Sequence, residues 1–379
     1  MKILLVGEYS RLHNSLKEGL EALGHTAVIV ATGDSFKKYD VDYSIAPVFF
    51  TKYYLPRKFK NAFYLITGID LEKTEKGIRF YFLVPKLKGY DHVQLVNSDA
   101  VETHPWFEKW LYKKLLPQNK KMNLLVCGDE TPVIDYLLKK ELSNSILTPY
   151  FENPKLKSLY KFSLKYTHKG YRKLFEFVKE RASVLIASDL DYKIPMEQMG
   201  FSVIHIPNPV NIDKLPYTAP VITTNVIIFL GINRMNYIKK GIPHFEEALD
   251  IVNRQYPEKI EIIVAESLPY AEYIRQYQRA HILLDYTYGM DQGYNALEAM
   301  AAGKVVFTGA GTEFMQYYNL QERVAIHAVP DAKAIAAELA SLIENPEEIE
   351  AISKRARAFI EKEHNYAEVA KRYLEAWEK

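Results

Sequence analysis

Residues 288–307 read Tyr288-Gly-Met-Asp-Gln-Gly-Tyr-Asn-Ala-Leu-Glu-Ala-Met-Ala-Ala-Gly-Lys-Val-Val-Phe307. A loop holding Gly289 and Gly293 runs straight into a helix start, Asn295-Ala-Leu-Glu-Ala-Met-Ala-Ala302. Gly303 stops the helix, and Val305-Val-Phe307 is a short apolar run of strand type. The first NH groups of such a helix lack intrahelical partners, and the positive end of the helix dipole lies behind them. They suit the anionic or hydroxyl-rich part of a ligand. Glu298 lies one turn in, where a carboxylate can accept from vicinal hydroxyls such as those of a ribose. The same residues also fit an ordinary loop-helix-strand unit in which Glu298 merely favours the helix N-terminus.

Outward from this stretch, strands alternate with helices. Val226–Leu230, Ile260–Val264, Ile282–Leu284, Lys304–Phe307 and Val324–His327 read as strands, with helices over Pro243–Arg254 and Tyr270–Arg279 and helical, charged sequence over Asp331–Lys362. Toward the N-terminus, Met1-Lys-Ile-Leu-Leu-Val-Gly-Glu-Tyr9 opens a strand, glycine turn, amphipathic helix and second strand. Further strands are expected at Tyr43–Ala46, His92–Val96, Leu124–Cys127, Val184–Ala187 and Ser202–Ile206, while Ile78–Val84 fits either a strand or a helix end. Asn153–Arg181 is basic and helical in pattern. Tyr366, Val369, Tyr373 and Trp377 give a final helix an apolar face that must dock. Such alternation favours parallel sheets covered on both faces, with ligands at the carboxyl ends of the strands.

The 379 residues suit two domains, and 48% hydrophobic with 25% charged residues is ordinary for globular cores. Pro207 and Pro209 mark a linker. The opening residues lack the pattern of a signal peptide, and no apolar run reaches the roughly 20 residues a spanning helix needs. The one cysteine, Cys127, excludes an intrachain disulfide framework and reads as an inert thiol at a strand end. No Cys/His grouping has metal-ligand spacing. The net charge of +2 hides an asymmetry: residues 1–210 hold 31 Lys and Arg against 23 Asp and Glu, a balance of +8. The remaining 18 against 24 gives −6. Much of the excess lies in basic-aromatic segments at 52–60, 106–114 and 159–173, which suit an anionic membrane surface, an acidic acceptor, or plain solvated helices. With this modest net charge and no recognition motif, nucleic acid is not an expected partner.

Leu297-Glu-Ala-Met-Ala-Ala-Gly-Lys-Val-Val306 resembles the donor-site signature of retaining GT-B glycosyltransferases of the large Glu-x7-Glu family (family 4-like, group 1). The resemblance implies a GT-B fold: two Rossmann-like domains with parallel sheets facing a cleft, and a C-terminal helix crossing back to the first. It divides the chain into an acceptor-side domain, 1–207 with 364–379, and a nucleotide-sugar donor domain, 208–363. Glu298 falls on the family's ribose-holding glutamate. The other glutamate, on the donor sugar, falls on Met290, so Asp291 is the candidate substitute. Val226-Ile-Ile-Phe-Leu-Gly-Ile-Asn-Arg-Met-Asn-Tyr-Ile-Lys-Lys-Gly241 is similar to the family's Gly-Arg-x(n)-Lys-Gly, placing Arg234 and Lys240 on the donor diphosphate. Val203-Ile-His-Ile-Pro-Asn-Pro-Val-Asn211 is similar to Ile-Pro-Asn-Gly-Val-Asp.

The expected catalytic set is therefore Arg234, Lys240, Glu298 and Asp291. Gly7, Glu8, Asn208, Gly231, Gly289, Met290, Gln292, Gly293, Tyr294 and Asn295 are expected around the donor. His104, His13 and Asp129 are candidates for sugar or acceptor contact, with helix capping the plainer role for Asp129. The resemblance implies metal-independent transfer, no cofactor beyond the nucleotide-diphosphate-sugar donor, a glycan or lipid-linked acceptor, and a cytoplasmic enzyme, peripheral at the membrane if the basic segments meet lipid. A GT-B-like scaffolding subunit and a nucleotide-sugar epimerase remain open as alternatives.

Overall fold

The computed structural model describes residues 1–34, 39–266, 268 and 270–379. The chain folds as two compact units. The first holds Met1–Lys139, Phe162–Pro209 and Tyr366–Lys379; the second holds Lys140–Lys161 and Val210–Asn365. Residues 140–161 thus group with the second unit, and the later boundary lies at Pro209.

The first unit is built on a seven-stranded parallel sheet in the order β3-β2-β1-β4-β5-β6-β7. The strands are β1 Lys2–Val6, β2 Thr26–Ala31, β3 Tyr43–Ser44, β4 His92–Leu95, β5 Lys121–Val126, β6 Ala182–Ala187 and β7 Ile204–His205. Ile3 to Val6 are fully buried, as a central strand covered on both faces requires. The register pairs Leu4 with Val28 on one side and Val93 on the other. Residues 78–84 belong to the helix Leu71–Leu83 and a following 3-10 turn. Asp70 caps the helix by accepting from the NH groups of Glu72 and Lys73, and Gly77, Phe80 and Val84 are the buried residues, at helical spacing. Of the two readings of Ile78–Val84, strand or helix end, the structure has the helix end. Residues 153–181 form short helical turns and then the helix Lys169–Lys179. The final helix, Tyr366–Glu378, belongs to the first unit and packs on the helix Leu12–Ala22.

The second unit carries a five-stranded parallel sheet in the order β12-β11-β10-β8-β9. These are β8 Val226–Ile232, β9 Ile260–Glu266, β10 Ile282–Leu284, β11 Val305–Thr308 and β12 Ile326–His327. Ile228, Leu230, Leu284 and Phe307 pack with Phe245 and Leu249 of the helix Ile242–Gln255 and with Leu339 and Leu342 of the helix Ala332–Glu344. Burying a side chain of this size contributes about 1.5–3 kcal/mol. In each sheet the chain changes direction of growth once. The switch lies between β1 and β4 in the first unit, and between β8 and β10 in the second. Loops at the carboxyl ends of such strand pairs are where open α/β sheets bind ligands.

Candidate functional site

At the second switch point, β8 runs into Asn233 and a 3-10 turn Arg234–Asn236, and β10 runs into Asp285. Lys240 donates from Nζ to Asp285 Oδ1 at 2.7 Å. Asn295, in the first turn of the helix Tyr294–Ala301, donates from Nδ2 to the same oxygen at 2.9 Å. The Asp285 side chain is 2% exposed, whereas that of Lys240 is 35% exposed. One of the three ammonium donors is thereby anchored, and the side chain still reaches solvent. Asp285 was not among the sequence candidates. Its only signal was a carboxylate directly after an apolar strand.

The loops around this pair are tightly fitted. Gly241 has φ +68, and a Cβ there would lie 2.0 Å from Thr287 Oγ1. Its neighbour Lys240 accepts at its carbonyl from the Thr287 NH at 3.1 Å. The lysine is thus fixed to the β10 loop by backbone as well as side chain. Tyr286 donates from its hydroxyl to the Asp291 carbonyl at 2.8 Å, and Gln292 donates to the Gly309 carbonyl. Gly289 is buried in this turn, Met290 half-buried, and Gln292 buried. Gly293 is the N-cap residue; no side chain caps the helix, and a Cβ at Gly293 would meet open space. Tyr294 is half-buried and Asn295 exposed at that start.

Asp291 is buried, and its Oδ1 accepts from the Gln292 NH at 2.8 Å. A carboxylate turned onto its own loop serves the turn's geometry. Glu298 is half-buried, and burial together with its charge holds the Tyr277 phenol above its usual range. Tyr277 stacks on Tyr273, with centroids 6.2 Å apart. Gly231 is half-buried in β8, and a Cβ there would lie 3.2 Å from the Tyr273 hydroxyl. Arg234 is exposed and makes a two-point ion pair with Glu266, at 2.5 and 2.6 Å. Its guanidinium carbon lies 4.7 Å from the Tyr237 ring centre. The structure brings Lys240 and Asn295 together through Asp285; Arg234 sits at the same strand end with a different partner.

In the first unit, Gly7 follows β1 with φ +85, and a Cβ would meet Val96 Cγ1 at 2.3 Å, so the turn excludes side chains. Glu8 is buried and accepts at Oε2 from Asn14 NH and Nδ2, at 2.8 and 2.6 Å; its Oε1 has no hydrogen-bond partner among the described residues. Burial pushes its carboxyl up to about 7, against the pull of the Asn14 hydrogen bonds. His13 is fully buried. Its Nδ1 bonds the Gly7 carbonyl at 2.6 Å, and its Nε2 accepts from Gln94 Nε2 at 3.2 Å. Burial lowers its pKa to about 4. Both ring nitrogens are spent inside the fold, which corrects the expectation of a ligand role. His104 is half-buried and N-terminal to the helix Pro105–Leu115; its Nε2 lies 3.0 Å from the Asp70 carbonyl and 3.2 Å from Thr74 Oγ1. The cap of the helix Thr131–Leu137 is Glu130, not Asp129: Glu130 accepts from the NH groups of Thr131 and Ser98. Asp129 is half-buried, with its carbonyl bonded by Asn97 Nδ2 at 2.7 Å. Asn208 is buried. Cys127 follows β5, and burial holds its thiol above the usual range. Among the described residues, no group of three or more His, Cys, Asp or Glu is placed to hold a metal.

A family described as glycosyl transferase-like matches residues 237–375. Solved structures match along the whole chain. HepE of Anabaena, solved with UDP and glucose, is 12% identical, covers 99% of this chain and 98% of its own, and superposes with a TM-score of 0.59. Sucrose-phosphate synthase of Thermosynechococcus elongatus is 15% identical over 100% and 98% of the two chains, with a TM-score of 0.61. UDP-GlcNAc 2-epimerase of Neisseria meningitidis, bound to UDP-GlcNAc, is 14% identical over 99% of each, with a TM-score of 0.53. No curated protein matches the sequence. At these identities the likeness defines the fold, which is the GT-B architecture of two α/β units with wholly parallel sheets.

Proposed function

We propose that the protein transfers a sugar from a nucleotide-diphosphate-sugar to a glycan or lipid-linked acceptor, with retention at the anomeric carbon. The observation that carries this reading is the Lys240–Asp285–Asn295 cluster beside an uncapped helix start, at the switch point of the second sheet. An anchored, partly exposed ammonium beside a helix N-terminus is what a departing diphosphate requires, since charge grows on its oxygens as the glycosidic bond breaks. Arg234 adds a planar cation to the same leaving group after exchanging or sharing Glu266. Glu298 takes the ribose hydroxyls. Retention follows by front-face displacement: the acceptor oxygen attacks from the side the diphosphate leaves, and a departing phosphate oxygen takes the acceptor proton. The family match over residues 237–375 and the UDP and UDP-sugar complexes of the structural relatives support a nucleotide-sugar donor.

The epimerase relatives make one other reading specific, isomerisation of the nucleotide-sugar itself. A panel of nucleotide-sugars separates the two. Transfer releases nucleoside diphosphate only when acceptor is supplied, whereas isomerisation converts the sugar and keeps the nucleotide attached. Failure of every nucleoside diphosphate to raise the Tm would remove both readings.

A further inference from the structure

In the first unit, the helix Tyr54–Thr67 has every residue exposed or half-exposed. Leu55, Leu65 and Ile66 are 75, 84 and 85% exposed, and Phe59 and Tyr64 are exposed beside them. Leu55, Phe59, Ala62, Phe63 and Ile66 recur at helical spacing as one stripe. Such a helix gains almost no burial from its own unit, and 14 residues in water are marginal as a helix. It is held at its edge, where Lys60 pairs with Glu72 of the helix Leu71–Leu83. That second helix also exposes large apolar residues, Ile78, Tyr81 and Phe82. It packs in turn on the helix Pro105–Leu115, with the Tyr81 and Trp110 rings 5.3 Å apart. There Trp106 is 73% exposed, and a groove of about 520 Å³ is lined by Trp106, Phe107, Lys109, Trp110 and Lys113. Exposed apolar residues are ordinarily scattered singly, and three packed helices carrying them together mark an interaction surface.

The charge of this layer selects the partner. Between Thr51 and Ile69 the sequence holds Lys52, Arg57, Lys58 and Lys60 and no acidic residue. Lys58 Nζ lies 4.6 Å from the Tyr54 ring centre, and Lys114 Nζ 5.6 Å from that of Trp110. Lys113 and Lys114 are exposed at the end of the third helix. A second copy docking here across a two-fold axis would set these cations against their own equivalents. A bilayer with anionic headgroups accepts both the cations and the apolar stripe. No helix of the described residues is long and apolar enough to cross a membrane. The layer therefore lies in the interface instead of spanning it.

We propose that helices 54–67, 71–83 and 105–115 form a docking surface for an anionic lipid bilayer. Leu55, Phe59, Leu65 and Ile66 enter the acyl boundary, Trp106 and Trp110 sit at headgroup level, and Lys52, Arg57, Lys58, Lys113 and Lys114 meet lipid phosphates. The segment 159–173 does not take part as a whole, because Tyr160, Tyr166 and Tyr171 are buried and Lys165 pairs with the buried Asp99. In the reaction proposed above, the surface would present a lipid-linked acceptor; that consequence rests on the reaction, but the binding does not.

The test is co-sedimentation of the full chain with vesicles of phosphatidylcholine alone, or of phosphatidylcholine mixed with phosphatidylglycerol. Binding is expected only with phosphatidylglycerol and should fall with added salt. Leu65→Ser with Ile66→Ser should weaken it at least roughly tenfold. Arg57→Gln and Lys58→Gln should each weaken it roughly fivefold. All these side chains are exposed, so the variants should keep the wild-type Tm and its shift by nucleoside diphosphate. Brominated lipid should quench tryptophan emission in the wild type, and should not do so when Trp106→Phe and Trp110→Phe leave the buried Trp377 alone. Absence of binding to anionic vesicles at low salt overturns the proposal, as does undiminished binding by the Leu65→Ser, Ile66→Ser variant. A monomer–dimer equilibrium that this variant abolishes, with no vesicle binding by the wild type, would assign the face to a second copy. Vesicle binding without any nucleotide response would leave this surface standing and remove both nucleotide-sugar readings.

Discussion

Replacement of Lys240 by Ala should affect two measurable quantities, and their separation decides what the lysine is for. The Nζ–Oδ1 distance of 2.7 Å gives a gross attraction of about 6 kcal/mol at an effective dielectric of about 20. A Lys240 side chain that is about one-third exposed is well screened, which reduces the net contribution to about 1–2 kcal/mol. Removing it leaves Asp285 buried with Asn295 as its remaining side-chain partner. Urea unfolding should therefore show a loss of about 1–2 kcal/mol. If the ammonium also meets the donor diphosphate, calorimetry should show nucleoside diphosphate binding weakened by about 1.5–3 kcal/mol, roughly ten- to a hundred-fold in Kd. Asp285→Asn in the same background completes a double-mutant cycle. The stability deficit should shrink when both are replaced, because no unpaired carboxylate remains, while the affinity deficit should persist. Lost stability with unchanged nucleotide affinity would refute the donor assignment and leave Lys240 a structural ion pair.

Arg234→Ala breaks an exposed pair with Glu266, so the unfolding midpoint should stay close to that of the wild type while turnover and nucleotide affinity fall; a change in stability alone would count against its donor role. Glu298→Gln should weaken binding of a ribonucleoside diphosphate more than that of its 2′,3′-dideoxy analogue, and equal losses would place Glu298 away from the ribose. Glu8 carries a pH signature: its folded pKa of about 7 stands above the ordinary 4.5. The native state therefore holds the proton more tightly between those values, and stability falls as pH rises from 4.5 to 7. The penalty is fully present above 7 and on the order of 3 kcal/mol. Glu8→Gln should remove it, so urea melts should show the variant gaining on the wild type at pH 8 relative to pH 5; a difference independent of pH would mean that Glu8 is ionised in the fold.

Most strands were readable because centrally placed parallel strands are near-continuous apolar runs, as at Lys2–Val6 and Val226–Ile232. The short β3 and β7 were placed correctly but read too long, since two residues of pairing leave no periodic trace. Leu71–Leu83 was ambiguous because its exposed face is itself apolar. At the candidate site, Arg234, Lys240 and Glu298 could be named through the resemblance to the GT-B donor signature. Asp285 and Glu266 could not, because a single carboxylate at a strand end has no pattern until the fold brings its partner to it. Asp291 and His13 show the reverse. Each occupies a suggestive position along the chain, and whether its side chain turns out or in is set by three-dimensional packing, which linear spacing does not encode.

The contact between the helix Tyr366–Glu378 and the first unit bears on how the polypeptide is made. Trp377 Nε1 donates to Gln94 Oε1 at 3.0 Å, and Gln94 in turn bonds the His13 ring. The helix approaches Gly19 so closely that a Cβ there would lie 2.3 Å from the Tyr366 carbonyl oxygen. The buried interior around His13 is therefore closed by residues translated more than 280 positions later. A nascent chain emerging from the ribosome can finish the second unit, whose last residue is Asn365, before the first is sealed. Until Trp377 emerges, the Leu12–Ala22 helix must keep an apolar flank wet. Chaperone occupancy of nascent chains should peak in that interval and end with the arrival of the final helix.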